Sequence, residues 1–201
     1  NDTLAGYFTN DVMYKFTIGF SDEDGDGEND EAVNLFVDMC RNGVDFDASG
    51  TTVAGRNVNF SGGGGNDNLT GGAGDDVIYA GNGGDEIWGD SGSDTLFGGF
   101  GANKFLGEDD GAVDDLVLKS DQYAYNWVYG SSGNSPNGEK ADTIYELDSF
   151  DRIWVQGVNT NQLSVGRIND GIGIFANGTL EATYIGSNLN VDQISQMTFG
   201  L

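Results

Sequence analysis

Between Gly62 and Leu106 an apolar side chain recurs at every ninth residue, at Leu69, Ile78, Ile87, Leu96 and Phe105. Two places before each stands Asp67, Asp76, Asp85, Asp94 or Asn103. In rows of nine the stretch reads GGGGNDNLT, GGAGDDVIY, AGNGGDEIW, GDSGSDTLF and GGFGANKFL, and the frame never slips. An amphipathic helix needs apolar positions three and four apart, and a half-buried strand alternates. A period of nine fits neither. The first six residues of a row suit a turn in which glycines take positive φ and fold carbonyls inward. The last three suit a short strand whose middle residue enters a shared core. Two rows then close one coil, so residues 18 apart stack, Asp67 on Asp85, Asp76 on Asp94 and Asp85 on Asn103. A flexible Gly-Asp linker shares the composition, but it has no reason to hold an apolar residue in phase with Asp or Asn.

Elsewhere the pattern changes. Asn1–Leu4 and Gly6–Tyr14 (GYFTNDVMY) echo the rows, with Asp11 and Met13 at the sixth and eighth places. The chain is therefore expected to start inside a repeat, as the C-terminal piece of a longer protein. Residues 1–14 read as degenerate repeats, 15–61 as an acidic insertion, 62–114 as the regular stack and 115–201 as a β-rich subdomain capping its open end. Strands are predicted at Asp115–Lys119, Tyr123–Tyr129, Thr143–Glu146 and Arg152–Gln156, and as two runs within Ile172–Ile185. Asn177-Gly178 between those runs suits a type I′ hairpin, and Asn190 is placed to cap a short helix reaching Met197. Glu31–Cys40 is compatible with a helix or a strand.

Charge adds a constraint. The 201 residues carry 33 acidic against 8 basic side chains, a formal charge of −25, which disfavours nucleic acid and anionic membranes and favours multivalent cations. No apolar run is long enough to span a bilayer, and Asn1-Asp2-Thr3-Leu4 is no signal peptide. The absence of histidine removes His-based acid–base chemistry, and the single Cys40 reads as a small buried apolar residue, so no enzyme is expected here.

Stacked strands lie about 4.8 Å apart, so carboxylates on neighbouring turns repel unless something neutralises them. Calcium takes six to eight oxygens in flexible geometry, whereas magnesium resists dehydration, so calcium is the expected ion. In the insertion, Asp22, Asp24 and Asp26 alternate ahead of Gly27, with Asp30 at the ninth place, and can wrap one further cation. The twelfth place is Val33, not Glu, so the loop is no complete EF-hand, and a solvated acidic turn is the alternative.

The rows resemble the repeats-in-toxin (RTX) family, whose nonapeptide is G-G-x-G-x-D-x-U-x. KSDQYAYNWVYG, PNGEKAD and DSFDRIWVQGV resemble the C-terminal ends of secreted RTX proteins of marine cyanobacteria. The resemblance implies an all-β fold, a right-handed parallel β-roll with a C-terminal capping subdomain and an insertion between repeat blocks. It also implies type I secretion, an uncleaved signal near the C-terminus, and an extracellular or cell-surface location. Carried over residue by residue, one calcium would take Gly63, Gly65, Asp67, Ala80, Asn82 and Asp85. A second would take Gly72, Gly74, Asp76, Gly89, Ser91 and Asp94. A third would take Gly81, Gly83, Asp85, Gly98, Phe100 and Asn103, and is expected to be weaker because Asn103 is neutral. A fourth, between Asp90, Gly92, Asp94 and the turn at Gly107 and Asp109, is put in doubt by the broken frame. Three functional readings follow: a calcium-dependent folding and secretion module, a surface-layer or adhesive component contacting polysaccharide or its own copies, and the tail of an enzyme whose catalytic part lies elsewhere. Trp127 and Trp154 are either core residues or a sugar platform.

Overall fold

The computed structural model describes residues 3–5, 14–17, 33–36, 44–47, 58–106, 110–120 and 141–201. As far as residue 168, successive strands alternate between two sheets. The first sheet holds β1 (Thr3–Ala5), β3 (Val33–Phe36), β5 (Val58–Gly64), β7 (Val77–Asn82), β9 (Thr95–Phe100), β11 (Asp115–Lys119), β13 (Arg152–Gln156) and β17 (Thr198–Gly200), in that order. The second runs β2 (Tyr14–Thr17), β4 (Val44–Asp47), β6 (Asn68–Gly72), β8 (Glu86–Asp90), β10 (Lys104–Leu106), β12 (Asp142–Tyr145), β16 (Thr179–Tyr184), β15 (Gly171–Ala176) and β14 (Leu163–Ile168). Every neighbouring pair in the first sheet is parallel, as are those of the second from β2 to β16. This is the predicted parallel roll, with two rows to a coil.

The parallel ladders run through all four segments read from the sequence. Val33–Phe36, in the run that suited helix or strand, is a strand between β1 and β5. Strands β6 to β9 are longer than the predicted three residues, because pairing continues into the turns, as at Gly63↔Gly81 and Gly64↔Asn82, while β10 keeps three. A Cβ on Gly81 (φ 115°) would collide with the Gly63 carbonyl, so adjacent turns approach this closely only without side chains there.

The eighth-place residues form the core. Phe60, Ile78, Leu96, Leu116 and Ile153 stack in one sheet, facing Phe46, Leu69, Ile87, Phe105 and Ile144 in the other, and all are buried. Burying each such side chain is worth about 1.5–3 kcal/mol. The core widens toward the C-terminus, where Leu118, Val155, Ile172, Ile174, Tyr184, Ile194 and Met197 join it. There β14–β15–β16 pair antiparallel, and the turn between β15 and β16 has positive φ at Asn177 (51°) and Gly178 (83°), as a type I′ turn requires. Asn190 accepts bonds from the amides of Asp192 (2.9 Å) and Gln193 (3.1 Å) and so caps α1 (Val191–Gln196), as predicted.

Candidate metal centre

The sixth-place side chains line both edges of the roll where turn gives way to strand. Asp85, Asp94 and Asn103 are each fixed by the backbone of the turn before. The amide of Asp67 donates to Asp85 Oδ1 (2.9 Å), that of Asp76 to Asp94 Oδ1 (2.8 Å) and that of Asp85 to Asn103 Oδ1 (3.1 Å), each across 18 residues. The predicted stacking partners are thus brought together, and all five are almost wholly buried.

The other carboxylate oxygen is the informative one. Asp85 Oδ2 and Asp94 Oδ2 are buried and accept no hydrogen bond within the protein. An anionic oxygen in such a place is expensive without a counter-charge. A Cβ placed on Gly62 would lie under 3.0 Å from both Asp67 Oδ2 and the Ala80 carbonyl oxygen, and one on Gly71 under 3.0 Å from Asp76 Oδ2 and the Gly89 carbonyl. Two oxygens from different turns therefore face one point at each of the first two predicted sites. The Gly63 and Gly65 carbonyls point across to Gly81 and Gly83, the Gly74 carbonyl to Gly92, and the Gly81 and Gly83 carbonyls to Gly99 and Gly101. Three predicted ligands are partly committed already: the Asn82, Gly72 and Phe100 carbonyls accept from the amides of Gly65, Ser91 and Gly83, each at 2.9 Å. A carbonyl has two lone pairs, so one remains on each.

Burial is the main force on these acids. It pushes Asp85 up to about 7 and Asp94 up to about 9; amide hydrogen bonds oppose the rise, and the charges of Asp67 and of Asp76 respectively add to it. Convergent hard oxygens, a buried carboxylate with an unused oxygen and no nitrogen or sulfur donor form the donor set that suits calcium. Among the described residues no three acidic, His or Cys side chains form a cage by themselves, so any such site depends on backbone carbonyls. Asp22, Asp24, Asp26, Asp30, Gly107 and Asp109 lie outside the described residues.

Residues 61–96 and 79–110 match the model of the RTX calcium-binding nonapeptide repeat, present in four copies. Residues 61–110 are RTX-type repeats. These are calcium-binding repeats, and among the described residues no helix is long and apolar enough to cross a membrane. No curated protein and no solved structure matches the chain.

The RTX ladder does not stop with the nine-residue frame. The amide of Asp94 donates to Asp114 Oδ1 (2.9 Å), that of Asn103 to Asp142 Oδ1 (2.8 Å) and that of Asp114 to Asp151 Oδ1 (3.0 Å). All three acceptors are buried. Burial raises Asp114 to about 6 and Asp151 to about 7, against the pull of backbone hydrogen bonds. Asp148 ties the same region together, accepting from Gly111 (3.0 Å) and Phe150 (2.6 Å). None of Asp114, Asp142, Asp148 and Asp151 follows from the nonapeptide spacing. A shorter signal does mark three of them: each rung starts an Asx-x-apolar triplet, as in Asp114-Asp-Leu116, Asp142-Thr-Ile144 and Asp151-Arg-Ile153.

Proposed function

We propose that this chain is a calcium-dependent folding module of a secreted protein, its repeats kept unfolded by their own charge where calcium is scarce and ordered by calcium outside the cell. The observation that carries this reading is the buried Asp ladder with carboxylate oxygens that find no partner within the protein. Calcium would be held by Asp67, Asp85, Asp76 and Asp94 with carbonyl oxygens of the facing turns, Ala80 and Gly89 among them. It supplies the positive charge that lets neighbouring turns close. Since an unfolded chain has no such cradle, binding free energy becomes folding free energy. RTX repeats are typical of secreted proteins, which supports export and an extracellular setting, and a type I signal near the C-terminus belongs to the same reading. The chain is read as non-catalytic: it has no histidine, and its buried carboxylates already have a structural task.

Far-UV circular dichroism during calcium titration, from chelator to about 10 mM, tests this by spanning the range of weak extracellular sites, on the order of 10⁻⁴–10⁻³ M. A cooperative gain of β signal with calcium and not with magnesium is expected. An unchanged spectrum from a sample shown by metal analysis to be calcium-free would sink the reading.

A further inference from the structure

The outer faces of the two sheets differ. On the first, the ninth places of the second and fourth rows and their continuation beyond the repeats form one row of neighbours, Tyr79, Phe97, Val117, Trp154 and Phe199, on the adjacent strands β7, β9, β11, β13 and β17. We infer that this aromatic row, with the groove in which it ends, is a binding face for an uncharged, extended polysaccharide.

The rings are set in advance. Tyr79 and Phe97 stack at 4.4 Å with their planes 8° apart, and Tyr79 is still 48% exposed. Beyond Val117, Trp154 leans on Phe199 at 5.0 Å, and its indole N–H donates to Asp115 Oδ1 (2.6 Å). Arg152 grips the same carboxylate through Nε and Nη2, each at 2.7 Å. The four steps between these five strands, at about 4.8 Å each, make the row about 19 Å long, which suits several linked pyranose rings better than one small molecule. At its end, Arg152 and Phe199 pass into a groove of about 450 Å³ that Phe150, Gln193 and Gln196 also line. Phe150 is 61% exposed, and Gln193 is held in place by the Asn190 amide, which donates to its Oε1 (3.0 Å). Rings for the C–H faces of sugars and amides for their hydroxyls thus lie along one path.

Charge selects the occupant. From β5 to β17 the outward side chains of this sheet include one acid, Asp115, and two bases, Lys119 and Arg152, on a chain of formal charge −25. The face is spared the acidity of the rest of the molecule, and an apolar patch with a polar rim marks a surface that meets a partner. A polyanion or a second copy would still face the like charge of the remainder, whereas an uncharged polymer meets no such repulsion. A glycan with equatorial linkages lies flat and turns its axial C–H groups toward the rings. The second sheet has no such row: Trp88 is 40% exposed but stands between Thr70 and Leu106.

Affinity electrophoresis of the full chain at saturating calcium, in native gels holding hydroxyethylcellulose or dextran, tests this, with circular dichroism confirming the fold of each variant. The wild-type chain is expected to be retarded by hydroxyethylcellulose and not by dextran, whose flexible α-linked backbone presents no flat face. Tyr79→Ala should weaken binding roughly tenfold, as for one lost aromatic contact, and Trp88→Ala should leave it unchanged. If Tyr79→Ala does not fold, Phe150→Ala, at the exposed ring of the groove, takes its place with the same expected direction. No retardation by hydroxyethylcellulose, equal retardation by dextran, or a loss in Trp88→Ala as large as in Tyr79→Ala overturns the inference. So does a wild-type chain that sediments as a dimer which Tyr79→Ala splits, since a second copy then covers the face.

Discussion

The turns of residues 62–106 and the C-terminal stretch 141–201 stand on the same two sheets but are held together differently. Each glycine-rich row puts essentially one large apolar side chain and one Asp or Asn into the interior. The C-terminal stretch has Leu147, Ile172, Ile174, Tyr184, Leu189, Ile194 and Met197 in a broad core, a hairpin with a favourable turn, and a capped helix. The Tyr184 hydroxyl donates to Asn188, whose amide donates to the Leu147 carbonyl, so even its polar interior is closed by the protein. One region buries Asp85 Oδ2 and Asp94 Oδ2 with no hydrogen-bond partner in the protein, an interior that on the proposed reading calcium completes. On the proposed reading a single parallel architecture carries both a conditional and an autonomous half.

Calcium removal should split the two halves, and this is the largest effect expected. In hydrogen exchange with chelator at neutral pH, amides of residues 62–106 should lose protection while those of 141–201 keep most of theirs; equal loss in both would erase the distinction. Next in size, Ile194→Ala should destabilise the chain by about 2–5 kcal/mol, as for a fully buried aliphatic residue, and by a similar amount with or without calcium. Denaturant melts in both conditions would show it.

A pH series sharpens the comparison further. Asp85, Asp94, Asp114 and Asp151 are raised from 3.8 to about 7, 9, 6 and 7 by burial. Raised carboxylates favour the fold when protonated. Without calcium, their contribution is full below pH 3.8 and is lost as pH climbs through 6 to 9. Calcium requires the ionised forms, so its apparent affinity should rise over the same window, as calcium titrations at stepped pH would record. Smallest, Asn190→Ala should remove about 1 kcal/mol through the lost cap, visible only in the C-terminal transition.

The roll was legible because its period is strict. Leu69, Ile78, Ile87, Leu96 and Phe105 are core residues for the reason the spacing implied, and the 18-residue stacking appears as hydrogen bonds between the same Asp and Asn residues. Asp114, Asp142 and Asp151 were harder to see, since their turns lie 20, 39 and 37 residues from their partners and only the triplet survives. The strand at Val33–Phe36 could not be chosen over a helix because its parallel partners, Thr3–Ala5 and Val58–Ser61, are distant in sequence. Trp154 gives a mixed answer. Its ring packs on Phe199 at 5.0 Å and its indole N–H donates to Asp115 (2.6 Å), a packed role on the outside of the first sheet.

The buried rungs also have a direction. In every one of them the amide belongs to the earlier turn and the accepting oxygen to a later one, from Asp67 and Asp85 through Asp114 and Asp151. Shortening the chain from its C-terminal side therefore withdraws acceptors and leaves buried N–H groups stranded upstream, whereas shortening it from the other side only frees oxygens that water can satisfy. The stack is a queue in which each turn waits on its successor.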